Sequence, residues 1–207
     1  MKRIALIGLV IFFLMTQASF ADSFFADDLL EGRWGLSFFV NRAMPDGGYD
    51  TKMGLAGAIE YNWAPHLSFE MEAAHLSLEE ETENLGSQST GELNFTSVLT
   101  NVKWRFYSEN QFYVFVFGGV GMVFPEYQEA TWISQQGVSV DLSTGFAYQF
   151  GGGLDYYFND NFALVAKVGR FEATEDAEYT ATWLNATDTI KTEMNHLFMK
   201  IGLEFLF

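Results

Sequence analysis

The stretch HLFMKIGLEFLF, His196 to Phe207, alternates strictly. Leu197, Met199, Ile201, Leu203, Phe205 and Phe207 fall on one side of an extended strand, and His196, Phe198, Lys200, Gly202, Glu204 and Leu206 on the other. One face is uniformly apolar; the other carries charge and a glycine. The stretch ends on an aromatic residue with no polar tail, which predicts a terminal strand that is tied down rather than solvated.

The same period-two pattern recurs in eight runs, at about residues 32–42, 51–62, 67–78, 93–107, 112–124, 145–158, 162–172 and 193–207. In the sixth run Phe146, Tyr148, Phe150, Leu154, Tyr156 and Phe158 oppose Ala147, Gln149, Gly151, Gly153, Asp155 and Tyr157. In the second, Met53, Leu55, Ile59 and Tyr61 oppose Lys52, Gly54, Ala56 and Glu60. The third run slips between Ala73 and Ala74, which leaves the facing of His75 open.

Connections alternate in length. WAPH at 63–66, SENQ at 108–111 and NDN at 159–161 are short; AMPDGGYD at 43–50, the acidic 79–92, 125–144 and 173–192 are long. An even number of strands with short turns at one end and long loops at the other predicts an all-β, eight-stranded antiparallel up-and-down transmembrane barrel. A soluble eight-stranded barrel has the same alternation with the faces reversed. Gly54, Ala56, Gly57, Ala58, Gly151, Gly153 and Gly202 decide for the membrane form. Small residues beside charges suit a narrow filled lumen, while the bulky aromatics of the other face suit a lipid interface.

Composition agrees. The 207 residues are 49% hydrophobic and 17% aromatic, with 22 phenylalanines, yet the formal net charge is −16. So greasy and so acidic a chain calls for two segregated surfaces. Nucleic acid is excluded as a partner, since phosphate binding needs basic patches. Without cysteine there is no disulfide, no thiolate metal site and no lipid-modified N-terminal cysteine. Residues 1–21, MKRIALIGLVIFFLMTQASFA, have the charged start, apolar core and small-x-small end of a cleaved signal peptide. The alternative, a membrane anchor, needs about 20 apolar residues. The expected organisation is a signal peptide at 1–21, a periplasmic segment at 22–31 and the barrel at 32–207.

YNWAPHLSFEMEAA, KWRFYSENQFYVFVFGGVGMVF and QFGGGLDYYFNDNFALVAKVGRF resemble the eight-stranded outer-membrane protein β-barrel family, which includes OmpX/Ail-like proteins and the membrane domain of OmpA. Lys200, Gly202, Phe205 and Phe207 are similar to that family's terminal assembly signal. The resemblance implies recognition by the barrel-assembly machinery and residence, after signal cleavage, in the outer membrane of a Gram-negative bacterium. Outer-membrane lipid and lipopolysaccharide would be the surrounding partners.

The lumen-facing register predicts a charge network of Arg33, Lys52, Glu60, Glu70, Glu72, Lys103, Arg105, Asp155, Lys167, Lys200 and Glu204. Unpaired buried charge is expensive, so the set should pair into a plug rather than line an ion pathway. Excess acid is expected in the loops. Glu79, Glu80, Glu81, Glu83 and Glu92 crowd one, and Glu172, Glu175, Asp176, Glu178 and Asp188 another, with Asp46, Asp50, Glu126, Glu129 and Asp141 elsewhere. They read as a solvated surface, or as contacts for cationic partners or divalent ions. No stretch has the ligand spacing of a built calcium loop, so neither a metal nor a cofactor is expected.

His75 and Ser77, with acids close behind, are the candidate catalytic pair, by similarity to outer-membrane lipid A deacylases that use His-x-Ser plus an acid; a polar rim histidine is the plainer reading. Gly118-Gly119 and Gly151 to Gly153 precede no helix and are not phosphate loops. Three functions stay open: a non-enzymatic, monomeric structural barrel with acidic surface loops, a narrow pore for ions or small hydrophobic solutes, and a lipid A-modifying enzyme.

Overall fold

The computed structural model describes residues 30–45, 49–51, 53–82, 88–109, 111–129, 138–181 and 186–207. Ten strands follow in chain order: β1 (Trp34–Pro45), β2 (Tyr49–Thr51), β3 (Met53–Ala64), β4 (Leu67–Thr82), β5 (Gln88–Glu109), β6 (Phe112–Glu129), β7 (Val138–Leu142), β8 (Gly145–Asn159), β9 (Phe162–Ala181) and β10 (Ala186–Leu206). β2 and β7 are short outer extensions, pairing with β4 and β9. The other eight are the staves of a closed, wholly antiparallel up-and-down barrel.

Closure runs through the first and last strands. β1 and β10 pair from Gly35↔Leu206 to Pro45↔His196. Trp34 and Phe207 then exchange backbone hydrogen bonds, Trp34 N donating to Phe207 O at 3.1 Å and Phe207 N to Trp34 O at 2.9 Å. The final phenylalanine is therefore tied into the seam. An open edge in hydrocarbon would strand backbone donors and acceptors that no water could satisfy.

At the end with the short turns, Gly32 adopts φ 74, a left-handed conformation that glycine takes without steric cost. That turn sends Gly32 N to Asn62 O at 2.8 Å and buries Leu30 completely.

Burial alternates as the sequence pattern requires. Along β8, Phe146, Tyr148, Phe150, Leu154 and Tyr156 are exposed while Ala147, Gln149, Asp155 and Tyr157 are buried. Along β10 the exposed column is Leu197, Met199, Ile201, Leu203 and Phe205, opposite buried His196, Phe198, Lys200, Glu204 and Leu206. In water such an outer face would be untenable; in a bilayer it is the required one. The expected slip in the third run does not occur. β4 keeps its register with β5 past this point, Ala74 and Leu76 facing in and Ala73 and His75 facing out.

Where they are described, the long connections expected at 79–92, 125–144 and 173–192 are almost entirely strand. β4 and β5 stay paired to Thr82↔Gln88, β5 and β6 to Gly91↔Glu129, and β9 and β10 to Ala186↔Ala181. β6 and β8, in contrast, pair only as far as Val123↔Gly145. Among the described residues, the outer end therefore separates into two backbone-paired ribbons, β2–β4–β5–β6 and β7–β9–β10.

Candidate functional site: an ionic lumen under an aromatic roof

Near the short-turn end, four staves deliver one cluster. β3 contributes Glu60 and Asn62, β4 Ser68, β5 Lys103 and Arg105, and β8 Asp155; all are buried. Lys103 Nζ lies 3.1 Å from Glu60 Oε2 and 2.9 Å from Asp155 Oδ2. Arg105 uses every nitrogen. Its Nε approaches Asp155 Oδ2 at 3.3 Å, Nη1 donates to Asn62 Oδ1 at 2.8 Å and Ser68 Oγ at 3.4 Å, and Nη2 pairs with Glu60. The guanidinium's rigid fork of five donors suits a site with acceptors on several sides.

Halfway up, Lys167 Nζ lies 2.6 Å from Glu70 Oε2 and 3.4 Å from Glu72 Oε2, and Lys200 pairs with Glu72. Two amides complete this layer. Asn101 Nδ2 donates to Glu70 Oε1 and Gln149 Nε2 to Asn101 Oδ1, each at 2.9 Å. The cations also sit over rings: Lys103 over Phe115 at 4.2 Å, Lys167 over Phe39 at 4.6 Å, and Lys200 over Phe198 at 4.3 Å. Ring-lined walls let aliphatic stems pack while the heads stay ionic.

Glycines make room for this filling. A Cβ at Gly151 would lie 2.9 Å from Phe117 Cζ, and one at Gly153 would collide with the Phe115 ring. Toward the long-hairpin end the lumen turns apolar. Phe95 and Phe171 stack with centroids 6.0 Å apart, and His196 stacks on Phe171 at 4.7 Å. Leu76, Leu99, Phe198 and Val123 are buried in the same core cluster.

Of the expected charge network, nine members lie inside the barrel: Glu60, Glu70, Glu72, Lys103, Arg105, Asp155, Lys167, Lys200 and Glu204. Arg33 does not join them. It precedes β1, and its guanidinium donates to the Asp160 carbonyl at 2.5 Å and the Leu206 carbonyl at 3.2 Å, so it caps the rim. Lys52 lies outside the described residues, as do Asp46 and Glu83. Most of the other acidic residues expected on the loops lie on the outer strand extensions, while Glu126 and Glu172 face outward.

Glu204 stands apart from its neighbours. Tyr157 OH donates to its Oε2 at 3.4 Å, whereas Oε1 has no hydrogen-bond partner and the carboxylate makes no ion pair among the described residues. Asn41 Oδ1 and Asp155 Oδ1 are likewise unsatisfied.

His75 and Ser77 sit on the outer wall, each engaged across the strand pair rather than with the other. His75 Nδ1 lies 3.1 Å from Thr96 Oγ1, and Ser77 donates to Asn94 Oδ1. Among the described residues no three His, Cys, Asp or Glu side chains gather as a metal site would need.

Sequence reading missed the amides and the tyrosine that complete the ionic layers. Asn62, Asn101, Gln149 and Tyr157 share the inward parity of their charged neighbours, and that parity was the available signal.

A closed antiparallel cylinder, greasy outside and ionic within, defines an integral membrane β-barrel. The chain belongs to the outer membrane protein beta-barrel domain family, whose model matches residues 4–197. Solved structures agree in fold. OprG from Pseudomonas aeruginosa is similar at a TM-score of 0.65 and 16% identity, over 86% of this chain and 96% of that one. AlkL, determined in DMPC lipid bilayers, gives 0.60 at 18% identity, over 86% and 90%. E. coli outer membrane protein W gives 0.51 at 15%, over 86% and 98%. No curated protein matches the chain. Family membership points to the outer membrane of a Gram-negative bacterium.

Proposed function

We propose that the protein is a non-enzymatic, monomeric outer-membrane barrel with no through-going pore, serving the envelope as a structural and surface-interaction element. The supporting observation is the ionic filling. Lys103 and Arg105 bridge Glu60 of β3 and Asp155 of β8, Lys167 and Lys200 reach across the lumen from β9 and β10 to Glu70 and Glu72 of β4, and all four cations are buried. An eight-stranded barrel is just wide enough for such side chains and leaves no aqueous bore. In planar bilayers the protein should give conductance indistinguishable from lipid leak. Discrete channel openings would refute this reading.

Residues 1–21 are proposed to be removed on export, and Lys200, Gly202, Phe205 and Phe207 to be read by the barrel-assembly machinery. Deleting Phe207 removes both that mark and the two seam bonds to Trp34. The heat-modifiable folded band on gels should fall several-fold in membrane fractions; normal assembly would contradict the role. The acidic outer hairpins are proposed to meet cationic groups or divalent ions at the lipopolysaccharide surface.

A second reading has its own support. The aromatic roof around Phe95, Phe171 and His196 would accept a small hydrophobic solute from the outer side, while the ionic layers beneath would refuse it onward passage. Saturable binding of an apolar fluorescent probe by the reconstituted protein, abolished by Phe95→Asp, would favour that reading over the first.

A further inference from the structure

The outer wall carries a cation that the lumen network does not use. Arg42 points outward from β1, exposed, and makes no ion pair among the described residues. Its surroundings are hydrocarbon. Val40 and Met44 flank it along the strand, and Met53 of β3 and Met199 of β10 stand opposite it, all exposed.

Its depth is set by the strand. Eight residues separate Arg42 from Trp34 at the sealed seam, roughly 27 Å along the chain at about 3.4 Å each. With a tilt of about 40° that is roughly 20 Å along the membrane normal, within an apolar band of about 25 Å. Arg42 thus lies close under the outer boundary of the hydrocarbon, where its long stem lets the guanidinium reach the headgroup layer.

A second arginine stands across β10. Arg170 of β9 faces outward opposite Leu197 of β10, two residues along from Met199, the partner of Arg42. Arg170 Nε lies 2.7 Å from Glu172 Oε1, which fixes the side chain at this level. Two strands that flank a third are about 10 Å apart and the two positions are offset by about 7 Å along the strand, so the Cα atoms are roughly 12 Å apart, a span two arginine side chains can close from either side. Between them runs the exposed column Leu197, Met199, Ile201, Leu203 and Phe205.

We infer that Arg42 and Arg170 form a binding site for the phosphorylated headgroup of an outer-leaflet lipid, whose acyl chain lies along the outer face of β10. The chemistry selects this occupant. A guanidinium matches a phosphate with paired donors. The ring of apolar side chains about Arg42 requires that the phosphate arrive attached to hydrocarbon, which excludes a free anion as the natural ligand.

The test uses the detergent-solubilised protein isolated from membranes, titrated with bisphosphorylated lipid A and read by native mass spectrometry. Arg42→Gln should weaken retention of the lipid about tenfold or more, the loss of one charge-assisted contact, and Arg42→Lys by less. Lipid A stripped of its phosphates should bind the unaltered protein no better than intact lipid A binds Arg42→Gln. Unheated gel mobility identifies any variant that has failed to fold, and Arg42→Lys then carries the comparison. Equal binding by Arg42→Gln and the unaltered protein would overturn the site, because it would mean that Arg42 only reaches for water. Equal binding of dephosphorylated lipid would overturn it too, as would displacement of lipid A by millimolar inorganic phosphate.

Discussion

Arg105→Ala should lower the unfolding free energy of the barrel in micelles by about 3–5 kcal/mol, the range for breaking a buried ion pair by removing one partner. The side chain is completely buried and is shared by Glu60, Asp155, Asn62 and Ser68. Removing it leaves Glu60 and Asp155 with Lys103 as their remaining cation. The cost is mostly that of uncompensated charge, so it should be repaired by removing charge. Arg105→Met combined with Glu60→Gln should recover a substantial part of the loss. Urea-driven unfolding in detergent measures both variants. A drop under about 1 kcal/mol for Arg105→Ala would mean that water, not the guanidinium, stabilises these carboxylates.

The same conservative change at two buried glutamates should have opposite consequences. Glu72→Gln leaves Lys200 and Lys167 each without one carboxylate partner, and should cost about 3–5 kcal/mol on the same scale. Glu204→Gln removes a carboxylate that makes no ion pair among the described residues and leaves one oxygen unsatisfied. An amide there keeps an acceptor for Tyr157 OH and loses a buried charge. That variant should be as stable as the parent within about 1 kcal/mol, or more stable. If the two glutamines prove equally harmful, the lumen charges are not partitioned as the ion pairs indicate. Four cations against five carboxylates, counted among the described buried residues, already leave one acid over.

The stave number and the two faces were legible in the sequence because lipid and lumen impose opposite chemistry on alternate residues wherever the chain crosses hydrocarbon. Beyond the bilayer that contrast vanishes. The stretches 79–92 and 173–192 carry no alternating apolar pattern in the sequence and read as loops, although the ladders continue to Thr82↔Gln88 and Ala186↔Ala181. Ala73 and Ala74 look like a slip because alanine suits either face; the unbroken register of β4 shows that none occurs.

The aromatic roof is only partly legible. The last run places His196 on its charged face, whereas Phe95 and Phe171 are apolar residues on the inward parity, and an inward phenylalanine has the same letter as a lipid-facing one. Arg33 has inward parity but precedes the strand, where the Asp160 and Leu206 carbonyls at the rim claim it. Arg42 and Arg170 show the converse: cations of outward parity that a rule of ionic lumen and greasy wall does not anticipate.

The orientation of the wall is tested most directly by a photoreactive reagent dissolved in the lipid phase, with tagged residues mapped by peptide mass spectrometry. Phe150 and Leu203 should be labelled, while Lys103, Asp155 and Glu204 remain untouched behind the staves. Labelling of Lys103, Asp155 and Glu204 with Phe150 and Leu203 spared would mean that the barrel is turned inside out and that the ionic lumen does not exist.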